Sequence, residues 1–304
     1  MTKGAIRFGL CCIFKEQPIK FRRTTAKHLS QFSAEEQKKR LSDICLSNAG
    51  SLLRALTFCH QNNIGGFRIN SQILPLKTHP QLGYNVSDLP EADQIIKKFM
   101  ACGEISREHD IRTTFHPDQF IVLSSINPDV VKRSTADLEY QAQVSQWVNA
   151  DVINIHAGGV YNDKQSALKR LRKVIDSLPD TVRKRLTLEN DDKSYSPQDL
   201  LPVCRDMDIP LVYDVHHHRC LKDTLSISDA TCLSADTWNR EPLFHISSPI
   251  NGWQSADMRK HHDFIDTNDF PRIWLSMKIT IEVEAKAKER AVLKLMKELS
   301  CRQK

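Results

Sequence analysis

The chain has 304 residues, 40% of them hydrophobic and 26% charged, enough apolar surface for a large packed core and too much for a disordered chain. A net charge of +6 fits a polyanionic partner without requiring one, and no apolar run reaches the ~18 residues of a membrane span. Nine cysteines, an odd number with no CxxC pair, point to reduced thiols and a cytoplasmic setting, and Arg7 interrupts residues 1–10 where a signal peptide would need an unbroken apolar core.

Eight short apolar segments read as strands: residues 6–13, 66–73, 112–116, 151–156, 185–189, 210–216, 242–247 and 276–284. Most lack polar alternation, as parallel strands covered on both faces do. Between them, helical patterns occupy 41–62, 92–109, 129–148, 164–178, 196–207 and 285–299. In the first of these, Leu52, Leu53, Leu56 and Cys59 recur at helical spacing. Ser196 followed by Pro197 suits an N-cap and the first helical position. Only a short helix fits before the last strand, near 269–274. The segment 15–28, with Lys15, Lys20, Arg22, Arg23 and Lys27, reads equally as a phosphate track or a solvated loop. This unbroken series of βα units predicts an α/β fold, one closed (β/α)₈ barrel of the TIM type over residues 1–304. An open doubly wound sheet is the alternative, but no GxGxxG follows the first strand.

The residues at the strand ends carry the chemistry. Strand three ends in Phe115-His116-Pro117, strand four in Ile155-His156-Ala157, and strand five in Leu188-Glu189-Asn190-Asp191. Strand six ends in Tyr213-Asp214-Val215-His216-His217-His218, strand seven carries Phe244-His245, and strand eight reaches Val283-Glu284. In a (β/α)₈ barrel that end is the active-site mouth. One strand-end histidine is more often a hydrogen-bonded core residue than a ligand, but a His, Glu or Asp on each of six successive strands is the pattern of a metal cluster. Imidazoles and carboxylates without thiolates suit Zn²⁺ or Mn²⁺. Strand alternation keeps His216, His217 and His218 from all sharing one site, and Asp214 can meet His217 only if the strand ends between them. Carboxylates that bridge two cations escape mutual repulsion, and such a cluster activates water and holds the attacking and leaving oxygens of a phosphoryl centre. No glycine-rich phosphate loop or GxSxG elbow competes with it, so no nucleotide cofactor is expected.

These segments, with Ile6-Arg7-Phe8-Gly9, Phe67-Arg68-Ile69-Asn70-Ser71, Phe115-His116-Pro117-Asp118-Gln119, His245-Ile246-Ser247-Ser248 and Glu284-Ala285-Lys286, stand in an order and spacing that resembles the UV damage endonuclease family along nearly the whole chain. The resemblance implies a barrel related to metal-dependent apurinic endonucleases and sugar isomerases. It implies a three-metal cluster, Mn²⁺ foremost with Zn²⁺ or Mg²⁺ as alternatives. It also implies incision of damaged double-stranded DNA immediately 5′ of a pyrimidine photoproduct or an abasic site, by a protein expected to be a monomer away from membranes. The implied ligands are His116, His156, Glu189, Asp214, His217, His245, His261 and Glu284, with His79 in Lys77-Thr78-His79-Pro80 as a further match and Glu189 as the bridging group. Gln119 and Phe120 correspond to a wedge that senses the lesion, with plain core packing as the other reading of Phe120. Glu189, Lys286 and Arg68 are the candidate catalytic residues, the two cations either offsetting charge on the phosphate or serving as structural ion-pair partners. Four places depart from the family pattern: Leu10, Phe14 and Phe120 replace tyrosine, asparagine and tyrosine, and Leu243 replaces a lysine. The competing functions are a sugar isomerase or epimerase, an apurinic endonuclease, or a damage-binding module without catalysis.

Overall fold

The computed structural model describes residues 6–302; residues 1–5, part of the segment that Arg7 argues is no signal peptide, lie outside the described residues, as do 303 and 304. Eight parallel strands close into a barrel in chain order. They are β1 (Ile6–Cys11), β2 (Gly66–Ile69), β3 (Arg112–Phe115), β4 (Ala150–His156), β5 (Leu186–Glu189), β6 (Leu211–Asp214), β7 (Leu243–Ile246) and β8 (Ile279–Val283). β1 pairs with β8, Gly9 opposite Glu282, which closes the ring and excludes an open sheet. A Cβ at Gly9 would press on the Glu282 side chain at 3.1 Å, so glycine leaves that space to the acid. The chain is thus a (β/α)₈ barrel, and no helix among the described residues is long and apolar enough to cross a membrane.

The helices Ala34–Gln61, Ala92–Glu108, Pro128–Val148, Lys164–Asp176, Pro197–Met207 and Glu289–Arg302 pack around the strands. Apolar periodicity locates them but misplaces some ends. The first starts at Ala34 rather than 41, because Ser33 caps the amide of Glu36 and the opening turns are polar. The last starts at Glu289, since residues 285–288 form a turn with Lys288 at φ 52°. The expected short helix at 269–274 is a 3₁₀ turn at Arg272–Ser276. Apolar periodicity misses four short helices, Ala26–Leu29, Asp180–Arg183, Val215–Cys220 and Ile227–Ala235. Ala26–Leu29 falls partly inside the basic segment expected to be loop.

Apolar patterning also over-extends three strands at the mouth by two residues or more, the first of them ending at Cys11 rather than 13. The second strand stops at Ile69, where the Asn70 side chain turns the chain by accepting the Gln72 amide at 2.9 Å. The sixth stops at Asp214, so Val215 and His216 are helical and not strand residues. The Asp214 carboxylate accepts the His217 amide at 2.8 Å and so caps the helix Val215–Cys220. Inside the barrel, Leu243 is fully buried in a small apolar cluster with Val152 and Val212. Val212 and Leu243 lie two residues before Asp214 and His245 on the same strand faces, and Val152 lies four before His156. At Leu243, where the family pattern has lysine, this chain therefore has a leucine in an apolar cluster with Val152 and Val212, against which Trp238 packs.

Candidate metal centre

Strand register brings the strand-end acids and imidazoles side by side. His156 on β4 stands opposite Glu189 on β5, and β7 carries His245 between Asp214 of β6 and Glu282 of β8. Glu189 is the hub. Its Oε2 lies 2.8 Å from His116 Nε2 and 4.0 Å from His156 Nε2, while its Oε1 lies 3.2 Å from His245 Nδ1 and 3.4 Å from His217 Nδ1. Asn154, two residues before His156 on the same strand face, donates its amide to Glu189 Oε2 at 2.5 Å and is itself fixed by the Thr187 hydroxyl at 2.9 Å. The helix begun at Asp214 turns His217 back over the site, where its Nδ1 meets the Asn190 carbonyl at 3.0 Å and Asp214 at 3.6 Å. His116 faces the Pro117 carbonyl with Nδ1 at 3.1 Å, which directs Nε2 inward.

The ligand-capable atoms form three groups, each within 4.8 Å: His116, His156 and Glu189; His116, His245 and Glu284; and Glu189, Asp214 and His217. Glu189 belongs to two of them, which suits a bridging carboxylate. The donor set also fits cations on polar grounds. Glu189 Oε1 and Asp214 Oδ2 are buried and accept no hydrogen bond among the described residues. Leaving such an acceptor without a partner costs about 1–3 kcal/mol, and a divalent cation is the natural partner for imidazole nitrogen and carboxylate oxygen together.

Burial disfavours charge on all these groups, so their neighbours decide their ionisation. Burial pushes Glu189 up, but His245, His156 and His116 together hold it well below the usual carboxylate range. Burial pulls His245 down, yet Glu189 carries it up to about 10. His217, depressed by burial, is raised well above its ordinary value by Asp214 and Glu189. In His156 burial wins and the pKa falls. A cation bound here would therefore have to displace protons from His245 and His217.

Not every expected residue joins this centre. His79 turns its Nδ1 onto the amides of Gln81 and Leu82, both at 3.2 Å, and belongs to none of the three groups. His261 stands at the edge, 3.8 Å from Glu284, and also belongs to none of them. His216 is buried, packed 5.1 Å from the rings of both Trp253 and His261, and belongs to none of the three groups. Arg68 is buried and ion-paired with Glu282 and Glu284, beside His245. Lys286 is exposed on the wall of an adjoining cavity. Gln119 is exposed, and Phe120 is 73% exposed, which excludes core packing for it.

A family model described as UV-endonuclease UvdE matches residues 6–304. The chain belongs to the UV-endonuclease UvdE family. It is 34% identical over 311 residues to the UV DNA damage endonuclease of Bacillus velezensis, covering 97% of this chain and 94% of that one. To the UV DNA damage endonuclease of Nostoc sp. it is 35% identical over 303 residues, covering 94% and 88%. The crystal structure of SacUVDE superposes with a TM-score of 0.88 at 29% identity, covering 99% of this chain and 100% of that one. Endonuclease IV from Thermus thermophilus, at 14% identity and a TM-score of 0.59, shares the fold over 97% of this chain and 98% of that one.

Two departures of this UvdE chain have a packing reason. Leu10 is fully buried, and Phe14 packs its ring on Phe58 and Phe67 at 5.3 and 6.0 Å. Sequence reasoning missed Glu282. It accepts from Arg68 Nε at 2.5 Å, from the Thr114 hydroxyl, and lies 3.0 Å from His245 Nε2. Arg68 draws its pKa down to about 2 against the upward push of burial. The signal was available: Glu282 precedes Glu284 by two residues, the strand period that places both on one face.

Proposed function

We propose that this protein is a divalent-metal-dependent DNA repair endonuclease that nicks damaged duplex DNA 5′ of a photoproduct or an abasic site. The observation that carries the reading is the grouping of His116, His156, Glu189, Asp214, His217, His245 and Glu284 around one buried carboxylate hub, in a chain of this family. Mn²⁺, Zn²⁺ or Mg²⁺ held there, three ions in the full form of the proposal, would supply an activated water and charge stabilisation at a phosphoryl centre.

The chain's own residues do the rest. Asn154 orients Glu189, and Asn190 orients both Asp214 and His217: its side chain takes the Asp214 amide at 3.0 Å and its carbonyl faces His217. Arg68 keeps Glu282 and Glu284 ionised and in register at the β8 edge. His261 completes the outer coordination of Glu284, and His79 stands further out on the β2 loop. Gln119 and Phe120, exposed on the loop after β3, enter the helix where stacking is weakened, so recognition depends on distortion more than on base edges. Lys286 faces the phosphate backbone.

End-labelled duplexes carrying a photodimer, an abasic site or no lesion test this with Mn²⁺, Zn²⁺ or Mg²⁺ added. Incision 5′ of the lesion, abolished in Glu189→Gln, is the expected result. No incision with any of these ions, or full incision by Glu189→Gln, defeats the assignment.

A further inference from the structure

Beside the Glu284 edge of the centre lies a cavity of about 410 Å³, walled by Cys11, Cys12, Arg259, His261, Lys286 and Lys288. On its inner wall Arg68 pairs with Glu284 at 2.6 Å and with Glu282 behind it, so that wall adds no positive charge to the cavity. What remains is positive. Arg259 leans on Asp192 at 3.3 Å, whereas neither Lys286 nor Lys288 has an ion-pair partner among the described residues. Lys288 is half-buried, so its ammonium acts across a less polar medium than bulk water.

The cavity is also built rigidly. Two residues of its wall hold left-handed backbone, Cys12 at φ 65° and Lys288 at φ 52°. Residues other than glycine keep that conformation only where their surroundings over-determine it. Here the surroundings include Glu289, whose buried carboxylate accepts the amides of Lys15 and Glu16 at 2.8 Å each and of Gln17 at 3.3 Å. That clamp ties the start of the basic segment after β1 to the turn that carries Lys286 and Lys288.

We propose that this cavity is a phosphodiester subsite that holds a backbone phosphate of the DNA strand next to the one cut at the metal centre, with Lys288 as its main positioning residue and Lys286 and Arg259 at its rim. The inference rests on the nuclease reading and deepens it. A lysine ammonium presents three donors as a compact charge, which suits a phosphate oxygen and carries no sequence information.

Binding of a short undamaged duplex, which stays uncut, is followed by fluorescence anisotropy as salt is raised. Lys288→Gln is expected to lower the slope of log K against log salt by about 0.9 in magnitude. Lys288→Arg, which keeps the charge, should restore it, and Lys278→Gln, on the opposite barrel face, should leave it unchanged. An unchanged slope in Lys288→Gln, or no recovery in Lys288→Arg, overturns the proposal. So does saturable binding of inorganic phosphate that needs Lys288 while the duplex slope stays the same, because the site would then take a free anion. Incision of damaged duplex by the parent is scored separately. Its absence beside a Lys288-dependent slope would sink the nuclease reading alone.

Discussion

Replacing Arg68 with methionine tests how the β8 edge of the centre is held. Arg68 is 7% exposed, and its guanidinium reaches Glu282 at 2.5 Å, Glu284 at 2.6 Å and His245 Nε2 at 2.9 Å. Methionine fills much of the volume but leaves buried Glu282 and half-buried Glu284 beside each other, with His245 as their nearest counter-charge. Removing one side of a buried ion pair costs about 3–5 kcal/mol. At roughly 1.5–2 °C per kcal/mol for a chain of this size, metal-free Arg68→Met should melt about 5–10 °C below the parent. A divalent cation at Glu284 returns part of the lost positive charge. Excess Mn²⁺ should therefore raise the melting temperature more in the variant than in the parent. Scanning calorimetry of chelator-treated and Mn²⁺-loaded protein measures both quantities. If the metal-free variant melts within about 2 °C of the parent, or if Mn²⁺ raises the two equally, Arg68 is not the counter-charge described here.

Gly103→Ala gains about 1 kcal/mol of helix propensity, but the new Cβ would overlap the Trp147 carbonyl oxygen of the neighbouring helix. Overpacking against rigid backbone costs up to about 3 kcal/mol, so the urea midpoint should fall; a rise would refute the close approach. Glu241 is pushed up by burial, but the side chains of Arg7 and Thr280 hold its pKa below the ordinary value. A depressed carboxylate stabilises the fold above its unfolded pKa and loses that contribution as pH falls through the folded one. The melting gap between parent and Glu241→Gln should thus be flat above about pH 5 and close toward about pH 3; a gap independent of pH contradicts the ion pair. Phe120→Ala should change stability by no more than about 0.5 kcal/mol, yet lower the binding preference for damaged over undamaged duplex by about 5- to 150-fold. An unaltered preference removes Phe120 from lesion sensing.

The barrel was legible because parallel strands covered on both faces are local apolar runs, and their number and order survive in one dimension. Helix and strand ends were less so, since Ser33, Asn70 and Asp214 set them through single side-chain hydrogen bonds to nearby amides. Leu10 and Phe14 stood out as departures from a family pattern, and only their packing gives them a reason.

The primary structure by itself determined which residue types arrive at the mouth, because each acid or imidazole is tied to the end of its own strand. Strand alternation kept His216, His217 and His218 from all sharing one site, and the family resemblance singled out His217; a helical turn begun at Asp214 is what brings that residue back over Glu189. The charge balance was decided in three dimensions alone. Arg68 and Glu282 lie 214 positions apart, and they meet only because β1 closes the barrel between β2 and β8.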